Sequence, residues 1–408
     1  MKVRTVVAVT ALVGLVISAC GGTPAASPTT STAASASGAA ASPAGSGAAT
    51  GAPYEINVIL ALTGGASFLG KPEQAALQAL ETQVNAQGGI QGRPVKFTFY
   101  DDESKPQTDV QLANQIKAKN VPVILGPSLV ASCNAIIPII KDGPVMYCFS
   151  PGIHPDKGTY AFTSSVSTID LSRALFAYFK DKGMTKIATL TSTDATGQDA
   201  DNAIKAGQTS AGGITIVDQE HFNPTDVSVS AQITHIKGSG AQALVAWSTG
   251  APVATILRGA AQEGLDIPIA TTNGNQTFGQ MTQYASFLPK ELLIPSAEFP
   301  AYDTLPAGPL KDKLKSYLDA LKAANVPPDN GPSLAWDPAV IVIDMLRKLG
   351  PSATATQLRD AIEGLKGYTG IDGTYDFSAS PQRGLGVSNA IVTRWDASKK
   401  AWVPVSTP

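Results

Sequence analysis

The sequence is poor in the residues from which metal sites and thiol enzymes are built. It contains three cysteines and three histidines among 408 residues. The histidines show no metal-ligand spacing with Cys, Asp or Glu; they are His154, His221 and His235. A pairing of Cys133 with His154 as nucleophile and base lacks a third, orienting group. We therefore expect no catalytic site, no metal and no cofactor.

The chain also lacks a basic excess and long apolar runs. Its net charge is −2, so no basic face for nucleic acid is implied. Beyond the N-terminal segment, no run of eighteen apolar residues occurs. No segment after that point is therefore predicted to span a membrane.

Residues 21–53 lack charge and large side chains altogether, since they consist only of Gly, Ala, Ser, Thr and Pro. Such a segment cannot bury enough surface to offset the entropy of an ordered chain. The composition predicts a flexible tether.

The first twenty residues have the pattern of a secretory signal. Lys2 and Arg4 precede an apolar stretch, Thr5 to Ile17, that is too short to cross a bilayer. The stretch ends in Ile17-Ser18-Ala19-Cys20, which resembles a bacterial lipobox and predicts lipidation of Cys20. The alternative is an ordinary cleavage site beside a chance cysteine. Because each buried CH₂ contributes about 0.8 kcal/mol, two or three acyl chains would hold the protein on a membrane.

One loop nearly matches a nucleotide-binding motif. Residues 63–72 read TGGASFLGKP, which fits G-x-x-x-x-G-K-[ST] except at its last position. Pro72 stands there instead of the hydroxyl that holds magnesium, and it also removes a backbone donor. The sequence argues against a nucleotide hydrolase, and Pro72 suits the first turn of a helix.

Strand-like and helix-like segments alternate along the rest of the chain. Buried strands such as INVILAL (56–62) and ALVAW (243–247) are each followed by an amphipathic helical pattern. This alternation predicts an α/β fold of mostly parallel sheets flanked by helices. The length suits two lobes, and ligands of such sheets bind at the carboxyl ends of the strands.

The two cysteines other than Cys20 form an even pair in a chain that is predicted to be secreted. Cys133 opens a helix-like segment and Cys148 ends the strand-like VMYC. This placement favours a disulfide between Cys133 and Cys148, with free thiols as the alternative.

Five stretches stand in the order and spacing of the type I periplasmic binding proteins, and resemble most the leucine/isoleucine/valine-binding proteins of bacterial ABC importers. They are GGASFLG (64–70), VNAQGGIQGRPV (84–95), YDDESKPQ (100–107), ILGPSLVAS (124–132) and CFSPG (148–152). The resemblance implies a two-lobed venus-flytrap fold with three hinge crossings. Residues 54–167 with 298–373 would form lobe 1, and 168–297 with 374–408 would form lobe 2. The crossings would lie near 164–167, 295–299 and 370–374.

The resemblance also implies ligand-binding residues in the first lobe. The loop with Ser67 and Phe68 would line the cleft, and Ser132 would take a ligand carboxylate at a helix start. Ile153 would offer its backbone N–H, and His154 replaces the usual hydroxyl residue. An ordinary helix cap at Ser132 and an exposed loop histidine are the alternatives.

In the second lobe, neutral residues replace those that hold an α-ammonium in the family. Asn273 and Asn275 stand where the family has a carboxylate, and Thr196 stands where it often has an aromatic residue. A desolvated ammonium without a carboxylate is costly. The expected ligand is a branched-chain amino acid-like, carboxylate, carbonyl or amide compound, and an amino acid itself is less favoured here than in the family at large. Trp247 would form an aromatic wall, unless it only packs in the core.

The function implied by the resemblance is capture of a small polar ligand and its delivery to an ABC permease with its ATPase. The protein would be a monomer anchored by lipid outside the cytoplasm. The alternative is a surface receptor of the same fold that feeds a signalling partner.

Overall fold

The computed structural model describes residues 48–407. The predicted signal, Cys20 and most of the predicted tether lie outside this range. The last tether residues are bound to the folded domain: Ala49 donates to the carbonyl of Asn85, and Arg93 donates to those of Ala52 and Pro53. The tether therefore ends several residues before Tyr54, because these backbone groups have partners in the domain.

The first sheet contains five strands, all parallel, in the order β2-β1-β3-β4-β5. The strands are β1 (Tyr54–Leu60), β2 (Val95–Asp101), β3 (Val123–Leu125), β4 (Val145–Cys148) and β5 (Ala161–Thr163). The helices between them are α1 (Ser67–Ala86), α2 (Pro106–Lys117) and α3 (Val130–Ile136). The predicted alternation of strand and helix is confirmed here.

The chain then builds a second parallel series. Its helices are α4 (Thr168–Asp181), α5 (Ala195–Ala211), α6 (Ser230–Gly238), α7 (Ala251–Gln262) and α8 (Phe278–Tyr284). Its strands are β6 (Lys186–Ser192), β7 (Thr215–Phe222), β8 (Ala243–Trp247), β9 (Ile269–Ala270) and β10 (Leu292–Ser296). The order of these five strands is β10-β9-β8-β6-β7.

The chain returns to the first lobe after β10. Its elements there are α9 (Pro309–Ala323), α10 (Asn330–Leu349), α11 (Ala355–Glu363), β11 (Lys366–Thr369) and β12 (Thr374–Asp376). Helix α10 packs against α1 and is buried on almost every side, with Trp336 edge-on to Tyr317 at 5.0 Å between ring centroids. An apolar helix of this kind is typical of a core position.

The last two strands complete the second sheet. They are β13 (Ile391–Asp396) and β14 (Ala401–Pro404). Strand β13 runs antiparallel to β10, and β14 antiparallel to β13. The fold is thus α/β, with two mostly parallel sheets flanked by helices, as predicted. None of the helices within residues 48–407 combines the length and apolar composition needed to cross a membrane.

The third crossing between the lobes lies later than the predicted position near 370–374. Strand β12 pairs with β11, and Tyr375, Phe377 and Leu385 are buried in the core of the first lobe. Residues 374–385 therefore belong with the first lobe, because their apolar side chains fill its core rather than that of the second.

In each lobe, the first strand is followed by a helix that approaches it closely. A Cβ at Gly70 would lie 2.2 Å from the carbonyl oxygen of Ala61, and one at Gly197 would collide with that of Ser192. Glycine is required at both positions for this close approach. Because α1 already begins at Ser67, Pro72 lies inside the helix and not in its first turn, which corrects the prediction.

The predicted disulfide is confirmed. Cys133 in α3 is bonded to Cys148 at the end of β4, with 6.0 Å between the two Cα atoms. Both residues are buried in an apolar cluster between the first sheet and helices α2 and α3. The bond thus ties α3 to the strand whose following loop reaches the cleft.

Candidate functional site: the cleft between the lobes

A small cavity of about 30 Å³ lies between the two lobes, beyond the carboxyl ends of both sets of parallel strands. This is the position at which open α/β sheets bind ligands. The first lobe contributes mostly hydroxyl and apolar groups: Leu69, Ser128, Leu129, Val130, Ser150, Pro151, Gly152 and Leu334. The second lobe contributes a more polar wall: Thr168, Thr196, Asp199, Trp247, Thr249, Thr272, Asn273 and Gly274.

Three polar side-chain atoms of the second wall are buried and have no hydrogen-bond partner among the described residues. They are the indole Nε1 of Trp247, the amide Nδ2 of Asn273 and the hydroxyl of Thr168. Trp247 is fully buried and Asn273 is 1% exposed. Buried polar groups are nearly always paired, so unpaired atoms on a cavity wall indicate a place for a ligand. Trp247, Asn273 and Thr196 thus line the cleft where the sequence placed them.

A contact across the cleft joins His154 of the first lobe to Asp199 of the second. The imidazole Nε2 lies 2.7 Å from the carboxylate Oδ1. Asp199 is 9% exposed, whereas the side chain of His154 is 40% exposed. Sequence reasoning missed Asp199, although its spacing from Thr196 places both residues on one face of α5. The expected absence of a carboxylate from the cleft was therefore wrong.

A second pair of contacts joins the lobes on another side. The carboxylate of Asp329 accepts the backbone N–H of Phe278 at 2.7 Å, and the N–H of Asn330 donates to the carbonyl of Gln276 at 3.0 Å. Burial raises the pKa of Asp329 to about 6, although its hydrogen bond from Phe278 acts in the opposite direction. The two lobes are thus in contact on more than one side of the cavity.

The loop that resembles a nucleotide-binding motif is held by its neighbours. Asp101 accepts the N–H groups of Leu62 and Thr63, each at 3.1 Å, and the hydroxyl of Ser104 accepts that of Ala66 at 3.0 Å. These donors are therefore not available to a phosphate, which agrees with the argument against a nucleotide.

The two residues predicted from that loop have different positions. Ser67 is half-buried at the start of α1 and does not line the cavity. Phe68 reaches across the cleft, since a Cβ at Gly250 would lie 2.8 Å from its ring. Gly250 has a positive φ of 81° and offers no side chain, which gives the ring its space.

Ser132 and Ile153 do not line the cavity. Ser132 is fully buried within α3, where its hydroxyl lies beside the carboxyl of Asp109 without a hydrogen bond of good geometry. Ile153 is 1% exposed and packs in the apolar cluster around the disulfide. Both predictions assumed cleft-facing positions; instead Ser128 and Gly152, close by in the same two loops, line the cavity.

A buried arginine shapes the loop that carries Gly152. The guanidinium of Arg383 donates to the carbonyls of Pro151 and Ile153 at 3.0 and 2.7 Å, and to those of Ser164 and Ser165 at 3.2 and 3.1 Å. Burial lowers the pKa of Arg383 to about 10, while carboxylates nearby raise it. One side chain thus fixes a cleft loop and the first crossing together, and no sequence pattern indicated it.

Asn275 has a structural role and not the predicted contact with a ligand. Its amide nitrogen donates to the carbonyl of Ser248 at 2.7 Å and to the hydroxyl of Thr271 at 3.0 Å. Its amide oxygen accepts the N–H of Gly250 at 2.9 Å. Because these bonds occupy both ends of the amide, Asn275 holds the wall of the cleft in place.

No group of three or more His, Cys, Asp or Glu side chains that could hold a metal occurs among residues 48–407. The other two histidines pair with carboxylates on the second lobe, His221 with Asp201 and His235 with Glu220. The described lining of the site therefore offers hydrogen-bonding groups, apolar groups and the carboxylate of Asp199.

Comparison with protein families shows to which family the chain belongs. A family model described as periplasmic binding protein matches residues 53–401. The chain belongs to the type I periplasmic binding proteins. Among curated members of the Leu/Ile/Val-binding group, the leucine-, isoleucine-, valine-, threonine- and alanine-binding protein of Pseudomonas aeruginosa is 26% identical, over 78% of this chain and 86% of its own length. With two further Leu/Ile/Val-binding relatives, the match spans about half of the relative's length, 53% and 52%.

Solved structures of periplasmic binding proteins share the fold. The substrate-binding protein LivJ of Streptococcus pneumoniae, in complex with isoleucine, has a TM-score of 0.71 at 20% identity, over 86% of this chain and 99% of its own. A solute-binding protein of Rhodopseudomonas palustris, in complex with benzoate, has a TM-score of 0.70 at 18% identity, over 87% and 96%. These relatives are binding proteins and not enzymes, as expected for this chain.

Proposed function

We propose that this periplasmic binding protein captures a small polar organic solute between its lobes and delivers it to an ABC permease with its ATPase. The observation that carries the proposal is the cavity between the lobes, whose wall includes the unpaired buried donors of Trp247 and Asn273. Burying such donors without a partner is unfavourable, and a bound solute supplies the missing acceptor. Closure around the solute creates the surface that a permease recognises.

The proposal includes a membrane anchor. The lipobox-like Ile17-Ser18-Ala19-Cys20 supplies an acylated N-terminus, and the following Gly/Ala/Ser/Thr/Pro segment supplies the reach to a permease. The protein then works as a tethered monomer outside the cytoplasm, on the side from which an importer takes its solute.

A thermal-shift screen of the wild-type protein over amino acids, short-chain amides, carboxylates and polyols tests the proposal. A bound solute raises the unfolding midpoint by mass action. The control is Gly152→Trp, because a side chain at this position points toward Val130 and Asp199 and fills the cleft. We expect a shift in the wild type that is lost in the control. A shift that persists in Gly152→Trp would place binding elsewhere and contradict the proposal.

A further inference from the structure

The cavity wall carries two hydrogen-bond donors that need an acceptor. An indole nitrogen can only donate, so the buried Nε1 of Trp247 has no alternative role. The Nδ2 of Asn273 lies on the same wall and is also unpaired. A ligand oxygen with two lone pairs, such as a carbonyl oxygen, satisfies donors of this kind.

The same wall carries a hydrogen-bond acceptor, the carboxylate of Asp199. His154 occupies Oδ1 of Asp199, and Oδ2 lies next to Gly152, since a Cβ there would be 2.8 Å from it. A carboxylate only accepts hydrogen bonds, so the ligand group that meets Oδ2 carries an N–H or O–H. His154 is a positioning residue here, because its contact holds the carboxylate at the cavity.

The charges and the size of the cavity narrow the range of possible ligands further. No Lys, Arg or His lines it among the described residues, and Asp199 is its one ionisable side chain. An anionic ligand would meet a like charge without a compensating cation. The cavity volume of about 30 Å³ holds only about two or three water molecules, which favours a compact ligand.

We infer that the cleft selects a compact molecule that is not an anion and in which a carbonyl oxygen stands beside an N–H group, as in the simple amides, and that Asp199 recognises the N–H. Trp247 and Asn273 bind the carbonyl oxygen. This inference rests on the proposed function and narrows the expected range of ligands by excluding simple carboxylates.

Three probes of nearly equal size test the inference by calorimetry on the wild-type protein. Acetamide has both groups, acetone lacks the N–H, and acetate lacks the N–H and is charged. We expect acetamide to bind at least about tenfold more tightly than the other two. Equal or tighter binding of acetate, or binding of none of the three, would overturn the inference.

A matched pair of variants on α5 tests the role of Asp199. Asp199→Asn removes the cavity carboxylate, and we expect it to weaken acetamide binding about tenfold and to reduce the discrimination against acetate. Asp201→Asn is the control, because Asp201 pairs with His221 at 3.0 Å in the same way but does not line the cavity. We expect its binding to equal that of the wild type. An equal loss in both variants would contradict the assignment.

Leucine in the same titrations separates the two proposals. If leucine binds in a Gly152-dependent manner while acetamide does not, solute capture stands and the amide inference fails. If no solute of the larger screen shifts the unfolding midpoint, solute capture itself fails. Circular dichroism of each variant shows that it remains folded.

Discussion

At the scale of single residues, two asparagines on one short loop differ in role although both are almost fully buried. The amide of Asn275 is bonded at both ends, whereas the Nδ2 of Asn273 is unpaired at the cavity wall. Both lie in the segment TTNGNQTF, and the sequence alone does not distinguish their roles. The hydrogen-bond partners of each amide therefore separate a structural role from a ligand-binding role.

This difference predicts losses of stability of different size for two alanine substitutions. Asn275→Ala leaves the Ser248 carbonyl and the Gly250 N–H unpaired in a buried place, so we expect a loss of about 2–4 kcal/mol in the free energy of unfolding. Asn273→Ala removes an already unpaired nitrogen, and its cost to stability is smaller. Urea unfolding of the two variants measures both values, and a larger loss for Asn273→Ala would contradict these roles.

At the scale of elements, an acidic cluster joins the elements around the first sheet. The carboxyl of Glu73 in α1 accepts a hydrogen bond from the hydroxyl of Ser128, which follows β3. Asp102 follows β2, and Asp109 lies in α2 beside Ser132 of α3. Burial raises the pKa of Glu73 to about 8 and raises those of Asp102 and Asp109 as well.

The cluster predicts that stability falls as pH rises. The folded pKa of Glu73, about 8, exceeds its ordinary value of 4.5, so the folded state binds the proton more tightly than the unfolded state. The stabilisation is complete below pH 4.5 and is lost as the pH rises through about 8. Asp102 and Asp109 act in the same direction. We expect a higher unfolding free energy at pH 5.5 than at pH 8.5, measured by urea unfolding.

Glu73→Gln is the control for this pH dependence. The amide is neutral at every pH and keeps the size of the side chain, so the fall in stability between pH 5.5 and 8.5 becomes shallower, by up to about 1.4 kcal/mol per pH unit for the lost proton. An unchanged slope in this variant would show that Glu73 does not retain its proton on folding.

The disulfide makes a second prediction at this scale. The bond between Cys133 and Cys148 spans 15 residues and joins α3 to β4. On the chain-entropy model, a loop of this length stabilises the fold by about 3 kcal/mol. We expect urea unfolding with reductant to show a loss of this size. The double variant Cys133→Ala, Cys148→Ala should be insensitive to reductant, and a wild type that is equally insensitive would contradict the prediction.

At the scale of the whole molecule, the two lobes make contact at His154 with Asp199 and at Asp329 with Phe278. The cavity between the lobes has a volume of about 30 Å³. A binding protein that closes on its solute presents a different surface to a membrane partner in its open and closed states. In the proposed function, the N-terminal anchor sets the position of the chain relative to the membrane.

The proposed anchor predicts the location of the protein. Cys20→Ala removes the residue that would carry the lipid, so the protein should leave the membrane fraction or remain unprocessed. Ser18→Thr alters the same segment but keeps the cysteine, and we expect it to stay in the membrane fraction. Cell fractionation with immunodetection measures both. Membrane retention of a processed Cys20→Ala protein would contradict the anchor.

The local pattern of the sequence predicted the α/β fold, and the placement of the two cysteines favoured the disulfide over free thiols. The chain length suited two lobes. Apolar strands such as ALVAW and amphipathic helices follow from side-chain periodicity alone, which is a local property of the chain. Trp247, Thr196 and Asn273 were proposed from the resemblance to the family. They line the cavity because residues just after parallel strands meet at one edge of a sheet. The resemblance to a family predicted that the ligand-binding cleft lies between the two lobes.

Only the tertiary structure decided which side chains face the cavity. Asp199 and Arg383 act through partners 45 and more than 200 residues away in sequence, and no local pattern reports such distances. Ser132 and Asn275 have the residue types of a binding site. However, Ser132 is buried inside α3, and the amide of Asn275 forms hydrogen bonds that hold the wall of the cleft. A polar side chain binds a ligand only if folding leaves it both unpaired and at the cavity, and that depends on contacts between elements distant in sequence.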